Sequence, residues 1–383
     1  MIKIGTRPNL FYPMMFIIFN GLRKIDSILM KKLFALSGDT LFILLMFLAD
    51  FLSGLIIYLS HQKFLRKKDE GAYKFMGIEL IKNELGMNRP DSKYKIILLF
   101  FLGSYLDFVE YIFSSYYLPG KFDDISISLE WRLKSLIICT SALFCFFILK
   151  FPIFRHQKIT LIIILICLLV VMVTEMIEYH SSLAHITFIL FLLTINQAFN
   201  SGLDVIEKYL LEYDFLNPFY MLMMEGFFGL IYSSLFAIYQ NPLNKIKIIY
   251  KNDPDKMPFL IFLIIIFFLL TCVRNIYRVI TNKLYSPTHK ALFDYILTPF
   301  LIIYYFCFQN DFSSKDRAHR FYYFIINLII SFITVFCSLI YNDFIILFCW
   351  DMERNTHYEV SKRASIIDLE TLNESDCDST FNE

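Results

Sequence analysis

Apolar residues run along this chain in stretches of roughly 20, and each stretch closes on a charged or proline-containing turn. A helix needs about 20 such residues to cross about 30 Å of hydrocarbon at about 1.5 Å per residue. The pattern predicts ten spans, at 9–30, 40–60, 94–118, 130–150, 158–178, 183–206, 216–239, 257–281, 287–308 and 321–350. The first carries Asn20, Arg23, Lys24 and Asp26 near its end, and the count is nine if it lies in the interface. The last is long enough to extend past the bilayer. Ser286-Pro287 and Asn217-Pro218 read as helix starts, each a capping side chain followed by proline at the first helical position. Pro299 falls inside a span and should kink it.

Five spans precede residue 180 and five follow it, and in each half a long third span joins a fourth through a short loop. An odd number per half makes the second half enter the bilayer from the opposite side, the inverted repeat of many secondary transporters. The expected fold is therefore all-α, a polytopic membrane protein of about ten transmembrane helices in two inverted five-helix repeats. These occupy residues 1–180 and 181–352, and 353–383 form a disordered acidic cytosolic tail. Lys63, Arg66, Lys67 and Lys68 in one loop and Lys150, Arg155 and Lys158 in another place both termini in the cytosol. Lys245, Lys247, Lys251 and Lys256 in the 240–256 loop argue the other way. In the tail, Asn373-Glu374-Ser375 is a glycosylation sequon expected to stay unmodified in the cytosol. The acids around Ser375 and Ser379 would suit an acid-directed kinase or simply solvate the tail.

Composition agrees with the spans: 57% of residues are hydrophobic and 18% aromatic, more than a soluble domain carries. A net charge of +1 and a single basic cluster, KFLRKK at 63–68, exclude a nucleic-acid face and fit a lipid-facing anchor. No cleavage site follows the first apolar run. Seven of the eight cysteines lie in apolar runs without zinc spacing and read as small hydrophobes. No phosphate loop, HExxH or G-x-S-x-G motif occurs, so neither enzyme chemistry nor a cofactor is expected.

Charges inside the spans are the candidate chemistry. Asp107 and Glu110, in LDFVEY, share one helix face at i, i+3. A charge at the bilayer centre costs about 2.5–3.5 kcal/mol, so the face should look into a polar cavity. It is either a cation or proton site or a structural hydrogen-bonded pair. Asp50, Asn196, Gln197, Asn200, Glu225 and Asp294 are further buried polar candidates. Asp204, Glu207 and Lys208 read as a local juxtamembrane salt bridge, and Arg274 and Arg278 as snorkelling toward the headgroups unless Arg274 clamps an anion. Carboxylates outnumber cations in the spans, so the charge balance predicts a neutral, zwitterionic or cationic cargo, with proton coupling open.

Four stretches resemble the drug/metabolite transporter superfamily, within its nucleotide-sugar-transporter-like solute carrier branch. They are LADFLSGLIIYL at 48–59, LFFLGSYLDFVEYIF at 99–113, NSGLDVIEKYLLEYDFLNPFYMLMMEGFFGLI at 200–231 and YSPTHKALFDYILTPF at 285–300. The resemblance covers residues 9–350 and implies alternating-access transport of a small metabolite across an internal membrane: Golgi, endoplasmic reticulum or endolysosomal. The partners expected are the lipid bilayer and a small-molecule substrate, with a homodimer compatible. Asp107, Glu110, Asn196, Asn200, Glu225, Arg274 and Asp294 are the residues expected to line the cavity. A seven-span chemosensory-type receptor and a non-transporting scaffold are the competing classes.

Overall fold

Among the residues that the computed structural model describes, six of the apolar stretches form helices long and apolar enough to cross a membrane. The structure describes residues 2–4, 10–34, 40–65, 93–114, 133–179, 183–212, 214, 216–240, 244–252, 254–308, 317–347 and 356. The acidic tail, its sequon and most of the 61–93 loop lie outside these. The chain opens on β1 (Ile2–Ile4), followed by α1 (Phe11–Phe34), α2 (Thr40–Leu65) and α3 (Lys93–Ile112). A short 3-10 turn (Leu133–Ser135) leads into α4 (Leu136–Phe147), then α5 (Arg155–Tyr179), α6 (Leu183–Glu212) and α7 (Pro218–Gln240). A surface helix, α8 (Asn244–Asn252), precedes α9 (Met257–Leu284), α10 (Pro287–Tyr295), α11 (Thr298–Phe308), α12 (Arg317–Tyr341) and β2 (Ile345–Leu347).

The protein is an all-α polytopic membrane protein: α2, α5, α6, α7, α9 and α12 each contain a span-length apolar stretch. Side chains such as Leu165 and Leu169 on α5, and Phe262, Ile265 and Leu269 on α9, are exposed, as the outside of a bundle in lipid requires. α1 and α3 have 24 and 20 residues, but every 18-residue stretch of either includes at least three charged side chains. α10 and α11 are short because Pro299 removes the N–H that would bond back to Tyr295, and the helix breaks just before it. The expected kink is therefore present.

Local signals settle the helix starts. Asn217 Oδ1 accepts the N–H groups of Phe219 (2.9 Å) and Tyr220 (3.3 Å), a true N-cap for α7. Ser286 also stands at a helix start, but its hydroxyl bonds Thr288 Oγ1 (2.7 Å) and His289 Nδ1 (2.6 Å) instead of capping. The last span stops at Tyr341 rather than running on to 350. Asp343 turns left-handed (φ 60°), Phe344 N–H bonds Leu339 O at 2.9 Å, and the chain then enters β2. β2 pairs antiparallel with β1, Ile2 opposite Leu347, an addition to the all-α expectation. A pair of three-residue strands leaves no readable alternation in sequence.

Helix directions follow from which residues meet. α2 and α7 cross antiparallel with backbones in contact: Gly54 faces Phe219 and Met223, and Gly226 faces Asp50 and Phe51. A β-carbon at either glycine would fall on the opposing backbone, so only glycine permits this approach. α1 runs antiparallel to α9, with Phe19 against Tyr277 and Phe34 against Phe259. α3 runs antiparallel to α6, where Lys95 Nζ meets Tyr209 Oη at 2.8 Å and Gly103 meets Leu203. α5 and α12 are antiparallel through Gln157 Nε2 to Tyr341 O at 3.3 Å, and α4 packs on α6 and α10. Parallel pairs are α2 with α9 (Phe42 to Phe267, Ala49 to Cys272) and α3 with α7 (Phe100 to Tyr220, Phe108 to Phe236).

Gly226→Val should drive α2 and α7 apart and cost at least about 1–3 kcal/mol, the range for overpacking. The expected readout is a lower melting temperature and reduced monodisperse yield in detergent. Gly21→Ala, whose new methyl would meet Leu297 Cδ2 at an ordinary 3.5 Å, should leave both unchanged.

Candidate functional site

A cavity of about 320 Å³ opens among α1, α2, α3, the turn before α4, α6, α9 and α10. That is within the range of small-molecule sites. From the first half of the chain it takes Asn20, Arg23, Lys24, Asp107, Glu110, Tyr111 and Lys134. From the second half it takes Gln197, Asn200, Arg274, Arg278, Lys290 and Asp294.

Of the seven residues expected to line a cavity, Asp107, Glu110, Asn200, Arg274 and Asp294 do so. Asn196 and Glu225 are the corrections. Asn196 is fully buried and does not line the cavity, although it stands one helical turn before Asn200. Glu225 is 4% exposed and held under the cavity, its Oε2 3.2 Å from Arg278 Nη2.

The charges fall into two layers. In the lower layer Arg278, 3% exposed, puts Nη1 2.5 Å from Glu207 Oε1 while Nη2 reaches Glu225, so the side chain is an internal ion-pair partner and does not snorkel. Asn282 Nδ2 donates to Glu207 Oε2 at 2.6 Å, and Lys290 pairs with Asp204. Asp204 and Glu207 are fully buried and reach helices α10 and α9, which overturns the local juxtamembrane reading. Only Lys208 keeps a local partner, Glu212 at 2.7 Å, and its Nζ also donates to the carbonyls of Asn282 and Lys283 at 3.1 Å, at the end of α9.

The upper layer is the cavity wall, and it is basic. Arg23, Lys24, Lys134, Arg274, Arg278 and Lys290 line it with Asp107, Glu110 and Asp294; with Arg278 and Lys290 already paired in the lower layer, four cations remain to three carboxylates. Lys24 and Lys134 stand close enough for their charges to repel. Arg274 donates from Nη1 to Asn275 Oδ1 at 2.7 Å and lies 5.5 Å from the Phe16 ring centre, with its Nε unpartnered. Arg23 is likewise held by weak neutral partners, Asn20 Oδ1 at 3.4 Å and Met46 Sδ at 3.7 Å, and its Nε is unpartnered. Asp294 accepts from Asn20 Nδ2 at 2.8 Å, tying α1 to α10. The balance expected from the sequence thus reverses at the site. Carboxylates do outnumber cations among the buried described residues, but Asp204, Glu207 and Glu225 are committed to the lower layer and do not face the cavity.

Sequence reasoning passed over Lys24, Lys134 and Lys290. Lys290 had a readable signal, a lone lysine in the apolar KALFDYIL run, four residues before Asp294. Lys24 and Lys134 sat at the ends of spans, where a cation is ordinarily assigned to the headgroups. Among the described residues no three His, Cys, Asp or Glu side chains group as a metal ion would need.

Removing one member of the buried Lys290–Asp204 pair should cost about 3–5 kcal/mol, because the other charge is left uncompensated. Lys290→Ala is therefore expected to lower the melting temperature sharply. Asp204→Ala added to it should restore part of the loss, and the double-mutant cycle in detergent measures the coupling.

No family model matches the chain, and no curated protein matches it at a significant level.

Proposed function

We propose that the protein is a secondary transporter carrying a small anionic metabolite across an internal membrane by alternating access. The basic cavity is the observation that carries this reading: of the six cationic side chains that line it, Arg23, Lys24, Lys134 and Arg274 are not taken up by the ion pairs beneath, and Arg23 and Arg274 each leave an unpartnered nitrogen. Arginine and lysine in that number suit phosphate or carboxylate oxygens and repel an amine. The cationic or neutral cargo expected from the sequence is replaced by an anionic one. Membership of the drug/metabolite superfamily and its nucleotide-sugar branch is part of the same proposal.

Packing supports ten crossings in two inverted halves. Exchange α1 to α5 for α6, α7, α9, α10–α11 and α12, and the main helix pairs return to pairs already present. α2–α7, α4–α10 and α5–α12 map onto themselves, α1–α9 onto α3–α6, α2–α9 onto α3–α7, and α4–α6 onto α1–α10. Every pair direction agrees with strict alternation over ten crossings. The β1–β2 pairing also brings Ile2 beside Leu347, both ends of the bundle on one side of the membrane. That supports an even number of crossings over the seven-span receptor.

Two measurements test the reading. Proteoliposome uptake against nucleotide sugars, amines and amino acids should be confined to phosphate-bearing anions and fall at least tenfold in Arg274→Ala. Uptake of amines alone would overturn the anionic cargo. Epitope tags at the two ends should become accessible together on selective permeabilisation of the plasma membrane, and opposite accessibility would overturn the even span number.

A further inference from the structure

Beneath the cavity, carboxyl groups outnumber the cations that face them. One guanidinium, Arg278, serves both Glu207 and Glu225, which holds those two carboxyl groups side by side. Asp50, on α2, faces the pair across the Gly226 contact and is 3% exposed, and its Oδ1 has no hydrogen-bond partner. Glu225 Oε1 also has none. The other charged groups around this cluster do not redress the balance: Lys290 is taken by Asp204, and Arg274 and Asp107, on the cavity side, carry opposite signs. Cys272 of α9 is the remaining titratable neighbour of Asp50, and Asn282 offers Glu207 a neutral amide.

Fully ionised, three buried carboxylates would stand against one guanidinium. One bound proton lowers that excess of negative charge, and two carboxylates held side by side repel each other unless one carries a proton. We propose that Glu207 and Glu225 share a proton, that Asp50 exchanges it across the α2–α7 crossing, and that this cluster is a proton-binding site distinct from the cargo cavity. In the exchange an O–H bond on Glu225 breaks, an O–H bond on Asp50 forms, and one negative charge passes from Asp50 to Glu225.

Arg278 connects this site to the cavity, because it lines the cavity and binds both glutamates. With the proton bound, one glutamate is neutral and the guanidinium's charge is available to an anion above it. With the proton gone, both glutamates draw on Arg278 and the cavity loses positive potential. Proton and anion therefore bind together. This coupling rests on the transporter reading; the presence of the proton does not.

The test starts with infrared spectroscopy of the full-length protein in lipid nanodiscs at neutral pH, in H₂O and D₂O. A deuterium-sensitive band of a protonated carboxyl group is expected in the wild type, lost in Glu225→Gln and retained in Asp26→Asn, which alters a buried acid on α1 outside the cluster. Absence of the band in the wild type, or its survival in both Glu225→Gln and Asp50→Asn, would overturn the site. In proteoliposomes supplied with nucleotide sugars, acid on the cargo side should speed wild-type uptake severalfold and leave Glu225→Gln unaffected. Uptake without a pH response would overturn the coupling. A band without uptake of any compound would instead count against the transporter reading, so the two failures are distinguishable.

Discussion

The antiparallel crossing of α2 and α7 is the contact on which the other placements depend. Gly54 and Gly226 let two backbones touch where any side chain would hold them apart. Lipid tails are as apolar as leucine, so helices in a bilayer gain little from burying hydrophobic surface against each other, and close backbone approach is a principal source of attraction. From this crossing the neighbours are set. Ser104 Oγ donates to Glu225 O at 2.9 Å and fixes α3 against α7, while Cys272 reaches Ala49 O and fixes α9 against α2. The crossing also sets Asp50 opposite Glu225, which neither helix could do alone.

Charge is arranged around that contact according to what a low dielectric permits. Buried ions persist only when paired, and pairing across helices ties together elements that hydrophobic contact leaves free to slide. Asp204, Glu207 and Glu225 therefore do structural work with Lys290 and Arg278. These pairs take up Arg278 and Lys290 from the wall above, and the cavity's remaining positive charge rests on Arg23, Lys24, Lys134 and Arg274.

The helices least suited to lipid are the ones that make the site. α1 and α3 bring Arg23, Lys24, Asp107 and Glu110, and α10 brings Lys290 and Asp294. Of the six helices long and apolar enough to span, α6 adds Gln197 and Asn200, α9 adds Arg274 and Arg278, and α2 adds Phe42 and Met46.

By itself the sequence determined the membrane class, the order and approximate ends of the helices, the break at Pro299 and the Asn217 cap, because each depends on chain length or backbone chemistry. It also marked Asp107, Glu110, Asn200, Arg274 and Asp294 as misplaced in lipid, since an intramembrane polar residue is conspicuous wherever it points. Tertiary structure alone decided which charges neutralise which. Arg278 and Glu207 are 71 positions apart and Lys290 and Asp204 are 86 apart, and no local pattern encodes contacts of that range. The same limit hid the β1–β2 pairing, set Asn196 and Glu225 outside the cavity, and reversed the sign of its wall. A count of charges along a chain does not record which of them are already paired; that depends on which helix faces meet.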